Sequence, residues 1–140
     1  MPPTPVIHVS AVVLRRASGE VLTVRKRGTH RFMLPGGKPE PGESAARTAV
    51  REAYEEVGVV LDEARLHELG TFRAAAANEA GHEVVGTVFE HPLVGTTAPA
   101  GEIEELRWLD PAGDLPDDLA PLLEHHVLPV LAGTTPAAER

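Results

Sequence analysis

Residues 37–59, GKPEPGESAARTAVREAYEEVGV, constrain this chain more than any other stretch. Gly42-Glu43-Ser44 precedes an apolar-periodic run, and Ser44 is a candidate N-cap, its hydroxyl able to accept from a first-turn amide. Gly58 marks the stop, as a glycine that can take positive φ after the last turn. Between them Ala46, Ala49, Val50, Ala53 and Val57 recur at three- and four-residue spacing and form one apolar stripe that faces a core. Much of that stripe is alanine, so the helix can sit close to whatever it packs on.

The same helix carries Glu52, Glu55 and Glu56 at i, i+3 and i+4, on one face beside the apolar stripe. For a plain helix this is unfavourable. Like charges at i, i+4 repel by roughly 0.2–0.5 kcal/mol, and carboxylates in a last turn oppose the helix dipole by about 0.3–1 kcal/mol each. Local rules broken together tend to mark functional sites. A divalent cation removes the conflict: magnesium takes oxygen ligands and binds a few carboxylates together with substrate phosphates. The bland alternative is a solvated acidic face, with Arg51 pairing Glu55 at i, i+4.

The fixed offsets decide between these. Gly37, Glu43, Arg51, Glu52, Ala53, Glu55, Glu56, Gly58 and Val59 stand in the pattern G-x5-E-x7-R-E-U-x-E-E-x-G-U, with U a bulky apolar residue. Ala53 is the one weak fit, being small. In this the chain resembles the Nudix hydrolases, MutT-like branch. The resemblance covers residues 6–128, is highly specific in the box, and rests outside it on strand order and an acidic-Trp segment. It implies an α/β fold, the Nudix α/β/α sandwich with a mixed β-sheet between helices. It also implies Mg²⁺-dependent cleavage, with Mn²⁺ as a substitute, of a nucleoside diphosphate linked to another group. On the same ground the Gly36 carbonyl joins Glu52, Glu55 and Glu56 as metal ligands, and Glu43 with Arg51 fixes the loop against the helix. Leu34-Pro35-Gly36-Gly37 allows the sharp backbone turn this needs, though Pro-Gly-Gly alone reads as an ordinary turn.

At 140 residues the chain is expected to be one domain, 1–140, with loose tails at 1–5 and 133–140. The net charge of −8 argues against nucleic-acid and anionic-membrane partners, both of which want basic patches. A small-molecule nucleotide is compatible with an acidic enzyme if a metal supplies local positive charge. There are no cysteines, hence no disulfides and no zinc-thiolate site. The N-terminus MPPTPVIHVS has neither a basic n-region nor a long apolar run, which makes the cytoplasm the default location. A homodimer is common in the resembled family.

Taken in order, residues 6–14 and 21–27 read as a strand hairpin, with Leu22 and Val24 inward and Thr23 and Arg25 on the other face. Arg25, Lys26, Arg27 and Arg31 form a basic cluster just upstream of the box. Arg25, Arg27 and Arg31, with Gly37, are candidates for the substrate phosphates; a solvated strand edge is the alternative. Residues 66–77 and 83–90 read as a strand and its returning partner around the turn Asn78-Glu79-Ala80-Gly81, and 92–101 as a loop. In the segment Glu102-Ile103-Glu104-Glu105-Leu106-Arg107-Trp108-Leu109, strand-like in its second half, Glu102 and then Glu105 are candidates for the extra ligand or general base that the resemblance implies. The water-activating base is Glu52 first and Glu102 second.

Asp117-Asp118 are expected to cap a last helix, residues 119–128, with Leu119, Leu122, Leu123, His126 and Val130 inward and Pro129 ending or kinking it. The seven histidines show no metal-ligand spacing. Specificity is expected in 28–33, 73–81 and 91–101, where no recognition code is legible. A nucleoside triphosphate, an oxidised purine one included, leads from the MutT resemblance; ADP-ribose, dinucleoside polyphosphates and nucleotide sugars stay open. Two readings from other classes stand beside the enzyme: a Nudix-fold domain that senses a nucleotide without cleaving it, and a plain divalent-cation binder. Intact box glutamates weigh against the first, the lack of an EF-hand loop against the second.

Overall fold

Residues 11–14 are apolar without a break because both faces of their strand are covered. The computed structural model describes residues 3–132. Its strands are β1 (Val6–Arg15), β2 (Val21–Lys26), β3 (Gly36–Gly37), β4 (His67–Ala75), β5 (Glu83–Pro92) and β6 (Ile103–Leu109). β1 sends Ala11 and Val13 into one core and Val12 and Leu14 into the other, as side chains alternate along a strand. The sheet runs β4-β5-β1-β2-β6, with β3 added to β1. β1 and β5 are parallel, Val6 facing Glu83 through to Arg15 facing Pro92, and the other pairings are antiparallel. This is the expected mixed sheet between helices.

One face is covered by α1 (Ala45–Val57). Ser44 caps it, accepting from the Arg47 amide at 3.1 Å, and Gly58 ends it at φ 77° while donating to the Tyr54 carbonyl. Ala49, Ala53 and Val57 are fully buried against Leu14, Leu22, Val24 and Phe89, with Ala46 and Val50 at the margin. Leu22 and Val24 face this helix as expected. Thr23, placed on the opposite face, is fully buried too, and its hydroxyl donates to the Arg107 carbonyl at 2.6 Å.

The other face departs more from expectation. Helical backbone begins at Pro121, not at residue 119. Leu119 instead bridges Phe32, and Asp118 pairs with Arg107 rather than capping a helix. A wide π-helical turn, Leu123–Val127, leads into α2 (Leu128–Leu131). Pro129 has no N–H and would break a regular ladder; here the chain stays helical past it, with the Leu128 amide reaching back to the Leu123 carbonyl. The extra residue in the turn shifts the buried stripe by one. Val127 and Leu131 are buried where His126 and Val130 were expected; Val130 is 42% exposed and His126 stacks beside Phe72.

The strand ends differ slightly as well. β5 continues to Pro92, β6 is strand from Ile103 onward, and Ala76-Ala77 leave the sheet. A short 3₁₀ turn, Glu63–Arg65, follows α1. Most of the expected tails lie outside the described residues. Pro5, inside them, is tied to the sheet by the Glu83 amide. Among the described residues no helix is long and apolar enough to cross a membrane.

Candidate active site

Two elements meet edge-on to build the site. β3 lies against Ser10 and Ala11 of β1, and its Gly36 amide donates to Glu56 Oε1 at 3.1 Å. The approach is close. A Cβ on Gly36 would overlap the Ser10 carbonyl oxygen and crowd the Ala11 Cα; one on Gly37 would overlap the Glu52 carboxylate. Both positions therefore need glycine for space rather than for dihedral freedom.

Arg51 holds the loop before α1 to the helix. Its guanidinium donates twice to Glu43, at 2.8 and 2.9 Å, and once each to Glu52, Glu55 and the Lys38 carbonyl at 3.0–3.1 Å. The fork, with help from the Glu40 amide and the Thr48 hydroxyl, holds the Glu43 carboxyl down at about 2. The Arg51–Glu55 pair of the bland alternative is present too, as one arm of this larger network.

Glu56 is a buried carboxylate at 5% exposure. Burial pushes it up to about 8; the Gly36 amide opposes the rise and the neighbouring Glu52 adds to it. Glu52 is pushed up to about 7, by burial first and by its neighbour Glu55 next. A recess of about 340 Å³ is lined by Glu52, Glu55, Glu56, Gly101 and Glu102. Glu102 reaches it because the preceding loop is sewn to the end of α1: the Ala98 and Ala100 amides donate to the Val57 and Glu56 carbonyls. Those carbonyls are left without partners by the helix end, so one set of bonds both closes the helix and delivers the fourth carboxylate.

Among the described residues no three acidic or imidazole side chains are gathered into a ready-made metal cage. The reason is visible in the partners: Arg51 draws on Glu52 and Glu55, and Lys26 pairs with Glu102 at 3.8 Å. The donor set itself, carboxylates and backbone carbonyl, is hard oxygen throughout, and its excess negative charge suits a small divalent cation.

Other candidates sit elsewhere. Glu105 is opposite Arg25 in the β2–β6 ladder, and Arg25 is taken up by Glu104, Glu105 and the Thr29 carbonyl. Arg31 donates to the Leu119 carbonyl, and Arg27 is exposed. None of these lines the recess or the second cleft, of about 330 Å³, beside it. Lys26 does line that cleft, with Lys38, Gly36, Gly37, Glu52 and Glu102 at one end, and its charge favours ionised Glu52 and Glu56. Strand alternation carried the signal: Lys26 follows Leu22 and Val24 at period two, whereas Arg25 and Arg27 do not. The rest of the cleft is mostly apolar, with Ile7, Val9, Met33 and Leu122 among its walls and Ser10, Asn78 and Glu79 as its polar members; among the described residues no aromatic side chain lines it.

Residues 4–127 match the NUDIX domain family model. The chain is 30% identical over 110 residues, 79% of its own length and 70% of the relative's, to a protein of Bacillus subtilis named as a putative 8-oxo-dGTP diphosphatase. It is 36% identical to an RNA pyrophosphohydrolase of Klebsiella pneumoniae, over only 39% of this chain and 31% of that protein. A MutT NUDIX hydrolase of Burkholderia pseudomallei has the same fold, with a TM-score of 0.70 at 23% identity, over 91% of this chain and 95% of that one. The chain belongs to the Nudix hydrolase family and is an enzyme of the pyrophosphohydrolase type.

Proposed function

We propose that this enzyme cleaves a phosphoanhydride bond of a nucleoside triphosphate with Mg²⁺, Mn²⁺ serving as a substitute. The observation that carries the reading is the shared wall of two cavities: Glu52 and Glu102 line both the carboxylate recess and the apolar cleft. Glu52, Glu55, Glu56 and the Gly36 carbonyl would hold the ion, which when bound neutralises phosphoryl oxygens and acidifies a water. Glu43 and Arg51 keep the ligand helix and its loop in register. Lys26 and Lys38 stand where the phosphates would pass from recess to cleft. Glu52 takes the proton of the attacking water, Glu102 being the alternative; a carboxylate poised near neutrality suits that task. The apolar cleft takes the group linked to the diphosphate, and the naming of the Bacillus subtilis relative favours an oxidised purine nucleotide there. The short overlap with RNA pyrophosphohydrolases and the net charge of −8 both favour free nucleotides over nucleic acid. The enzyme acts as one domain in the cytoplasm.

The test is phosphate and pyrophosphate release from nucleoside triphosphates, 8-oxo-dGTP, ADP-ribose, dinucleoside polyphosphates and nucleotide sugars, each with Mg²⁺ and with EDTA. Metal-dependent turnover of a triphosphate supports the reading. Tight nucleotide binding with no turnover of any compound contradicts it.

The two glycines of β3 separate fold from chemistry. Gly36→Ala presses on rigid backbone and is expected to cost about 1–3 kcal/mol, read as a lowered melting temperature. Gly37→Ala presses on the movable Glu52 carboxylate. It should leave the melting temperature within a few degrees while lowering turnover about 100-fold, the usual effect of a misplaced reacting group. Equal melting and equal rates in the two variants would contradict the assigned contacts.

A further inference from the structure

The cleft has two walls that come from distant parts of the chain. Met33 and Leu34 belong to one; Ala120, Leu122 and Leu123 belong to the other; Ile7 and Val9 of β1 complete the lining. The segments behind them are locked together. The Phe32 amide donates to the Asp118 carbonyl and the Ala120 amide to the Phe32 carbonyl, both at 2.8 Å, while Arg31 donates to the Leu119 carbonyl at 2.8 Å. Arg107 of β6 closes the arrangement from below. Its guanidinium lies 3.7 Å from the centre of the Phe32 ring and forks onto Asp118, at 2.5 Å to Oδ1 and 3.2 Å to Oδ2. This part of β6 is itself held, since the Thr23 hydroxyl donates to the Arg107 carbonyl. One planar cation thus touches the segments behind both walls at once, a ring in one and a carboxylate in the other, which a flexible ammonium cannot do.

We propose that Arg107 and Asp118 are positioning residues that set the width of the cleft and so determine which linked group the enzyme accepts. Neither residue lines the recess or the cleft, so they act through Phe32 and the segment at 118–120. The inference rests on the reading that the cleft receives the group beyond the diphosphate. An apolar slot selects by fit, and one contact more or less changes selection by about tenfold or more. Width control is therefore where a residue remote from the phosphates can act.

The test compares kcat and KM for a purine nucleoside triphosphate, a pyrimidine nucleoside triphosphate and base-free methyl triphosphate, in wild type, Asp118→Asn, Arg107→Gln and Arg107→Lys. Melting temperatures are recorded alongside. The expected result is that Asp118→Asn and Arg107→Gln narrow the preference between the two nucleotides by about tenfold, through KM. Methyl triphosphate turnover stays within about twofold of wild type, and Arg107→Lys recovers part of the preference. Variants that melt lower yet keep the wild-type preference, or lose all three substrates in equal proportion, would overturn the inference alone. A wild-type enzyme that uses methyl triphosphate as well as either nucleotide would overturn the cleft reading and this inference with it.

Discussion

Replacing Glu56 by glutamine is expected to remove turnover while making the metal-free protein more stable. Glu56 is 5% exposed, and among the described residues no cationic side chain bonds it; its described hydrogen bond comes from the Gly36 amide at 3.1 Å. A glutamine carbonyl accepts that same bond, so the fold loses nothing there. What goes is a buried negative charge whose desolvation works against folding once ionised. As a proposed metal ligand it also supplies the charge that holds the ion. Loss of metal-borne charge stabilisation removes several kcal/mol from the transition state, which at about 1.4 kcal/mol per decade is a fall in kcat of roughly three orders of magnitude. Calorimetry at pH 8 in EDTA should show Glu56→Gln melting higher than wild type, by several degrees. A variant with wild-type turnover, or one that melts lower than wild type without metal, contradicts the role given to Glu56.

Magnesium is expected to stabilise the protein by an amount that grows between pH 4.5 and pH 8. The folded Glu56 and Glu52 carboxyls sit at about 8 and about 7, against about 4.5 in the unfolded chain. As pH rises through that window the unfolded chain has given up protons that the folded one keeps. Each such proton lowers stability by about 1.4 kcal/mol per pH unit while it is retained. Stability of the metal-free protein therefore falls from pH 4.5 to pH 8 and levels off above. Glu56 carries most of the effect, because Glu52 stands nearer solvent and its share is screened. Glu43, at about 2, acts in the opposite sense and only below pH 4.5, where protonating it releases Arg51. A bound divalent cation favours the ionised carboxylates and cancels the decline. Melting temperatures with Mg²⁺ and with EDTA should coincide near pH 4.5 and diverge steadily towards pH 8. A separation that is constant across pH contradicts this linkage.

The glutamate helix was legible because its signals are local. Ser44, Gly58 and the alanine stripe are fixed by hydrogen bonding and periodicity within a few residues, and each stands where the spacing put it. The two hairpins, β1 with β2 and β4 with β5, were legible for the same reason. The C-terminal helix was not, since its register is set by Pro129 acting on the turn before it, and a single inserted residue moves the buried face from His126 to Val127. The basic cluster shows a second limit. Composition marks Arg25, Lys26, Arg27 and Arg31 alike, yet pairing across β2 and β6 engages Arg25 with Glu104 and Glu105 and turns Lys26 toward the glutamates. Glu102 and Glu105, three residues apart, were likewise separated by the loop bonds at Ala98 and Ala100 and the β2–β6 register. Alternation with Leu22 and Val24 marks Lys26 locally, but the separation of the glutamates depends on partners distant in the chain, which no local pattern carries.

Glu52, Glu55 and Glu56 are proposed to hold the divalent ion. Titration of the protein with Mn²⁺, with free ion followed by electron paramagnetic resonance and no nucleotide present, tests it most directly. The expected result is a saturable site in wild type that Mg²⁺ competes for and that Glu56→Gln loses or weakens by at least tenfold. Wild-type Mn²⁺ affinity in Glu56→Gln would place the metal elsewhere and contradict the account.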